Sequence, residues 1–173
     1  MLQNILVTGG AGYIGSHAAL ELQERGHRVV VLDNLSTGHR WAVRTEDFVE
    51  GDIRDKALLS KTFSDYGIEC IVHFAAKSIV ADSVTDPLTY YDNNVVGAQR
   101  LIQAAIEAGI QKFIFSSTAA VYGDAGEKLI NEAMPKEPVN PYGQSKRMVE
   151  LMLEDAYKAH QLSSVSFRYF NAA

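Results

Sequence analysis

The stretch Val7-Thr-Gly-Gly-Ala-Gly-Tyr-Ile-Gly-Ser16, on the end of a short apolar run near the amino terminus, constrains the fold of this chain more than any other. It reads as a phosphate-binding turn. A strand over Ile5 to Val7 runs into a glycine-rich loop and then a helix whose free N-terminal amides point at an anion, which is how dinucleotide pyrophosphates are held. The glycines fit two registers. Gly10, Gly12 and Gly15 satisfy G-x-G-x-x-G, while Gly9, Gly12 and Gly15 satisfy the wider G-x-x-G-x-x-G. Alone the pattern is a weak signal, because glycines also collect at turns that bind nothing.

Two neighbours strengthen it. The next segment carries apolar residues at Ile14, Ala18 and Leu22, with Ala19 beside them, and stops at Gly26, a C-terminal glycine cap for a helix. Val29 to Leu32 is then a continuous apolar run ending in Asp33, eighteen positions beyond Gly15. An acid there hydrogen-bonds the adenosine ribose of a dinucleotide and repels a ribose 2′-phosphate, so the reading is NAD rather than NADP.

Apolar runs alternate with helical patterns along the whole chain, which indicates parallel strands joined by helical crossovers. Strands are expected near 4–8, 28–33, 47–50, 70–74, 112–116 and 164–169, and helices near 13–25, 56–65, 88–108 and 142–160. The fold class is α/β: a doubly wound, Rossmann-like parallel sheet of strand order 3-2-1-4-5-6, with the carboxyl ends of strands 1, 4 and 5 around a shared crevice. The segment from Tyr122 to Pro141 holds three of the four prolines and reads as a surface loop close to the site. With 173 residues the chain is expected to form one NAD-binding domain over 1–173, a substrate domain being largely absent from it.

The bulk properties exclude other classes. Net charge is −5, from 16 basic and 21 acidic residues without a block of one sign, so neither nucleic acid nor an anionic membrane is an expected partner. No apolar segment approaches a membrane span, and the start lacks the pattern of a signal peptide, so the cytoplasm is the expected location. Cys70 is the single cysteine, which leaves no internal disulfide, and the five histidines lack metal-ligand spacing. No metal is expected, and Cys70 reads as a small apolar residue of a buried strand.

A chemical constellation follows the nucleotide signature. Asn140 and Pro141 are helix start signals, and Tyr142 and Lys146 then stand at i and i+4 on one helical face. A tyrosine of pKa about 10 is a poor base at neutral pH, but a neighbouring ammonium and a positive nicotinamide ring both favour its phenolate. Such a phenolate can remove a proton from a sugar hydroxyl while the carbon-bound hydrogen leaves as hydride. The fifth strand, Phe113-Ile-Phe-Ser-Ser-Thr118, ends in small hydroxylated residues. Thr118 is expected between substrate oxygen and Tyr142, whereas Ser116 and Ser117 can satisfy loop backbone groups.

These residues, together with Thr8–His17 (TGGAGYIGSH), Asp33–Ser36 (DNLS), Glu50–Arg54 (EGDIR), His73–Ala76 (HFAA), Tyr90–Val95 (YYDNNV), Ser116–Gly123 (SSTAAVYG), Tyr142–Lys146 (YGQSK) and Arg168–Asn171 (RYFN), resemble the UDP-glucose 4-epimerase family of extended short-chain dehydrogenases/reductases. The match is collinear over the whole chain and covers only the amino-terminal portion of that family. The resemblance implies that Gly9, Gly12, Tyr13 and Ile14, with Gly15, line the pyrophosphate, that Asp33, Asn34 and Ser36 sit at the adenosine ribose, and that Asp52 and Ile53 sit at the adenine. It puts Phe74, Ala75, Asn93 and Ser116 along the cofactor and Phe170 on its nicotinamide side. It makes Tyr142 the base, Lys146 its electrostatic partner and nicotinamide-ribose ligand, and Thr118 the bridging hydroxyl, with Asn171 joining Thr118 and Tyr142 at the nucleotide sugar. Many family members carry a lysine three positions after the alanine of HFA; here that position is Ile79 or Ser78, and no cofactor contact is carried over to Lys77.

The resemblance also separates relatives. Sugar-nucleotide 4,6-dehydratases place an acidic pair after the threonine, where this chain has Ala119 and Ala120. Without those acids elimination lacks its catalysts, and reversible oxidation at one sugar carbon is left. The implied activity is NAD-dependent interconversion of UDP-glucose and UDP-galactose, a step of galactose metabolism. The alternatives are an NAD-binding fragment without catalysis of its own and a 4-epimerase of another UDP-sugar. The family also implies a homodimer paired through the helices near 88–108 and 142–160. Gly9, Gly12 and Gly15 are the preferred register, with Gly10 an extra turn residue.

Overall fold

The computed structural model describes residues 3–126 and 129–172. Six strands form one all-parallel sheet of order β3-β2-β1-β4-β5-β6. They are β1 (Asn4–Thr8), β2 (Arg28–Asp33), β3 (Phe48–Glu50), β4 (Cys70–His73), β5 (Lys112–Thr118) and β6 (Ser163–Tyr169). The strand positions read from the sequence agree to within a residue or two, the usual scatter of element ends. The central strands lack polar alternation because both faces are covered. Leu6, Val30, Ile71 and Phe113 enter one core with Leu59, Leu101 and Leu153, while Ile5, Val7, Val29, Val31 and Val72 enter the other with Ala19. Cys70 belongs to this second core, as a small buried side chain.

Helices lie on the two faces: α1 (Tyr13–Glu24) packs on the second core, and α2 (Lys56–Tyr66), α5 (Gly97–Glu107) and α6 (Pro141–His160) pack on the first. α6 starts where the sequence indicates: Asn140 accepts from the Gly143 amide at 2.8 Å, and Pro141 occupies the first turn. The expected helix over 88–108 is instead three pieces. α4 (Pro87–Tyr90) passes into a π-helical segment over Tyr91–Val96 and then into α5. A short α3 (Val80–Thr85) precedes them that the sequence pattern did not reveal. Its exposed Val80 and Val84 give it no apolar stripe facing a core.

A second difference concerns the proline-rich segment. Ala119–Tyr122 is a 3-10 turn and Tyr122 is buried, so the irregular stretch begins at Gly123; part of it, residues 127 and 128, lies outside the described residues. Among the described residues no helix is long and apolar enough to cross a membrane. The strand order reverses between β1 and β4, so the loops leaving them diverge and open a crevice at the carboxyl edge of the sheet.

Candidate active site

A cavity of ≈570 Å³ occupies that crevice, within the usual size of a small-molecule site. Each residue assigned above to cofactor or substrate lies on its wall. At one end is the glycine turn. Gly9 has φ +72°, and a Cβ there would fall 2.5 Å from the backbone nitrogen of Ala75, so only glycine lets the loops after β1 and β4 approach. A Cβ on Gly15 would fall 2.2 Å from the Gly9 carbonyl oxygen, which fixes how closely α1 packs on the turn. Gly12 is the N-cap of α1 and offers no side chain to the first-turn amides, which remain free for an anion. Gly10 is more than the extra turn residue expected: a Cβ there would lie 2.7 Å from Val31 Cγ1, so it is small to let the loop seat on β2.

Next along the wall, Asp33 is buried at the end of β2. One carboxylate oxygen accepts from the Ala11 amide at 3.0 Å and the other from the Leu35 amide at 2.8 Å. A carboxylate offers about four acceptor positions, so capacity remains for two vicinal hydroxyls, while its charge opposes a phosphate. Asn34 donates to Asp52 at 3.1 Å, and its own oxygen accepts from the Ser36 amide at 3.1 Å. Arg54 grips Asp52 at 2.7 Å and 2.9 Å and also pairs with Asp92 beside Asn93. The Arg54 hydrogen bond is the main cause that holds the Asp52 carboxyl down to about 2, with burial opposing it.

At the far end β5 meets α6. Lys146 is buried and donates from Nζ to the Ser116 carbonyl at 2.8 Å, with its ammonium 5.0 Å from the Phe115 ring centre and 6.0 Å from that of Tyr142. Thr118 lines the cavity beside Tyr142 and accepts from the Ala120 amide at 3.2 Å. Phe170 and Asn171, just past β6, close this end of the cavity. The electrostatics depart from expectation. Burial raises the Tyr142 phenol, the neighbouring Thr118 hydroxyl opposes the rise and Tyr90 adds to it. Burial likewise brings the Lys146 ammonium down to about 7. Lys146 is buried and Tyr142 half-buried on the cavity wall, so the chain alone does not depress the phenol, whereas added positive charge in the cavity would.

Several supporting residues receive no role from the sequence, although His73, Asn94 and Arg168 fall within the motifs quoted above. Asn94, buried in the π-helical segment, accepts from the Lys77 amide at 2.8 Å and donates to the Lys77 carbonyl at 3.0 Å and to Ser145 Oγ at 3.1 Å. It thereby ties the loop after β4, on which Lys77 lines the cavity, to α6. Asn93 in turn donates to Asn94 at 2.9 Å. His73 hydrogen-bonds Thr8 at 2.7 Å, stacks on Phe115, and is pushed down to about 3 by burial and then by Lys146. Glu150 and Arg168 pair beneath Ser117. Of these only Glu150 carried a periodic signal, at i+4 from Lys146.

Comparison with known proteins gives the chain a family. The model of the NAD dependent epimerase/dehydratase family matches residues 5–173. A curated UDP-glucose 4-epimerase of Halalkalibacterium halodurans is 48% identical over 169 residues, covering 98% of this chain and 51% of the relative. The crystal structure of UDP-glucose 4-epimerase from Brucella ovis in complex with NAD superposes with a TM-score of 0.95 at 49% identity, covering 98% of this chain and 52% of that one. The UDP-Glc/GlcNAc 4-epimerase of Campylobacter jejuni superposes with a TM-score of 0.93 at 42% identity, covering 98% and 54%. The chain thus spans about half the length of the curated relatives it matches.

Proposed function

This chain belongs to the NAD dependent epimerase/dehydratase family, and we propose that the complete gene product interconverts UDP-glucose and UDP-galactose by NAD-dependent reversible oxidation at the sugar C4. The observation that carries the reading is that Thr118, Tyr142 and Lys146 share one cavity wall with the glycine turn and Asp33. The turn and the α1 amides would hold the pyrophosphate, Asp33, Asn34 and Ser36 the adenosine ribose, and Asp52 and Ile53 the adenine. Phe74, Ala75, Asn93, Ser116 and Phe170 would flank the remainder, with Lys146 on the nicotinamide ribose. When bound, NAD supplies a reversible acceptor for the hydrogen on C4.

The chain's own residues handle the proton. Tyr142 Oη takes it from the sugar 4-hydroxyl and returns it, Thr118 bridges the two oxygens, and the Lys146 ammonium steadies the phenolate. Ala119 and Ala120 offer no acid or base to a second carbon, which supports chemistry confined to one centre. Inversion at that centre needs a sugar that can turn, so the site grips the nucleotide firmly and the sugar loosely, with Asn171 on the sugar side. Adding UDP-galactose to the NAD-loaded gene product is expected to yield UDP-glucose, followed by sugar-nucleotide chromatography. An equilibrated mixture still holding only UDP-galactose removes the proposal.

Two further readings have support. Spanning about half the length of its relatives favours the 173-residue chain by itself as an NAD-binding domain without turnover; conversion by that chain alone would exclude this. The name of the Campylobacter jejuni neighbour favours testing UDP-N-acetylglucosamine beside UDP-glucose. Exposed Val96, Leu151 and Tyr157, on the π-helical segment and α6, support a homodimer across these helices, and a monomer in sedimentation of the complete gene product would count against it. A cytoplasmic location and a role in galactose metabolism belong to the same proposal, and cell fractionation tests the first of them.

A further inference from the structure

We propose that Glu150 is a positioning residue that sets Thr118 and the segment Tyr169–Asn171 against Tyr142, an inference that rests on the function proposed above. Glu150 stands at i+4 from Lys146 and i+8 from Tyr142, on the same face of α6. Its side chain is only 2% exposed. The carboxylate accepts from Ser117 Oγ at 2.6 Å, from Arg168 Nε at 2.8 Å and Nη2 at 3.0 Å, and from Arg147 Nη1 at 3.2 Å. Arg168 also donates from Nη1 to the Tyr122 hydroxyl at 2.7 Å and lies 5.1 Å from the centre of that ring.

These contacts join the three elements that build the reactive end. Ser117 is the residue before Thr118, Arg168 the residue before Tyr169, and Tyr122 ends the turn that leaves Thr118. Two consecutive residues of β5 are held by one face of α6, Ser116 through its carbonyl by Lys146 and Ser117 by Glu150, and Thr118 follows them beside Tyr142. Burial by itself pushes the Glu150 carboxyl up, yet the hydrogen bonds from Arg168, Ser117 and Arg147 hold it below the ordinary carboxylate range, so it stays ionised. A buried ion pair is weak evidence for stability, since apolar side chains of equal volume often pack as well. What the pair supplies is geometry. The two-pronged contact of Arg168 with the carboxylate fixes distance and plane together, which an apolar contact does not. Misplacement of a reacting group by about 1 Å costs on the order of a hundredfold in rate.

The test uses the complete gene product and three variants: Glu150→Gln, which keeps volume but loses the charged acceptor; Arg168→Lys, which keeps the charge but loses the fork; and Ser117→Ala, which removes one hydrogen bond. Glu150→Gln and Arg168→Lys are expected to lower kcat for UDP-galactose by about tenfold or more while KM stays within about threefold. The affinity for NAD, measured by calorimetry, is expected to fall by less than kcat, because the glycine turn and Asp33 are untouched and only Phe170 of the cofactor's neighbours lies in the positioned segment. Wild-type kcat in folded Glu150→Gln, or in Arg168→Lys, overturns the assignment. Should neither fold, Ser117→Ala decides it: a lowered kcat at an unchanged thermal midpoint supports the proposal and an unchanged kcat overturns it. A wild-type protein that binds NAD without turning over UDP-galactose sinks the functional reading itself, whereas a defect or its absence in the variants alone speaks to Glu150.

Discussion

Burying the ammonium of Lys146 with the Ser116 carbonyl as its partner brings it down to about 7, from an ordinary value near 10.5. Between those values the unfolded chain holds a proton that the folded chain has released, so stability rises with pH across that window; below about 7 the full cost of the buried charge is present. Lys146→Met is therefore expected to stabilise the chain at pH 6 by a few kcal/mol, at about 1.4 kcal/mol per pKa unit, and the gain should shrink as pH approaches 10. Denaturant titrations at pH 6 and pH 9 check this, and a gain independent of pH would contradict it. The same variant should lose turnover, which makes Lys146 a site where stability is surrendered for chemistry. Tyr142, Lys146 and Thr118 were legible in the sequence because helix periodicity and strand-end position put them on facing surfaces. The raised Tyr142 phenol was not, since it depends on how much water the fold removes, and no spacing encodes that.

The turn between β1 and α1 does its work through two separable features, a positive φ at Gly9 and a close approach to Ala75. Gly9→Ala meets both, and is expected to cost about 2–4 kcal/mol of stability and to weaken NAD binding by about tenfold or more. Gly109→Ala provides the comparison, having φ +73° but open space around a Cβ; it should cost only about 1 kcal/mol and leave NAD affinity unchanged. Equal effects of the two changes on NAD affinity would mean that close approach plays no part. Glycine spacing made this turn readable, as Asn140 and Pro141 did the start of α6. The π-helical segment stayed hidden because an extra residue per turn leaves local composition unchanged, and its consequence, Asn94 reaching both Lys77 and Ser145, is a tertiary one. α3 stayed hidden because its apolar side chains face outward.

At the scale of the whole molecule, alternating apolar runs and helical patterns indicated parallel strands, and the glycine turn with Asp33 made the Rossmann-like order the expected one, which the sheet has. That order places the ends of six strands along one crevice, so residues as distant as Gly9 and Asn171 share a cavity. The buried fastening beneath it, Glu150 with Arg168 and Ser117, could not be read in advance, since its partners lie on three elements and meet only when the sheet is complete. On the function proposed above, this cavity joins an NAD site to a tyrosine that moves the sugar's proton. The most direct measurement of that step is turnover of UDP-galactose by the complete gene product carrying Tyr142→Phe, with NAD affinity determined on the same sample. The expected kcat is lower by about a hundredfold or more at unchanged NAD affinity; turnover equal to that of the wild type would rule out Tyr142 as the proton carrier.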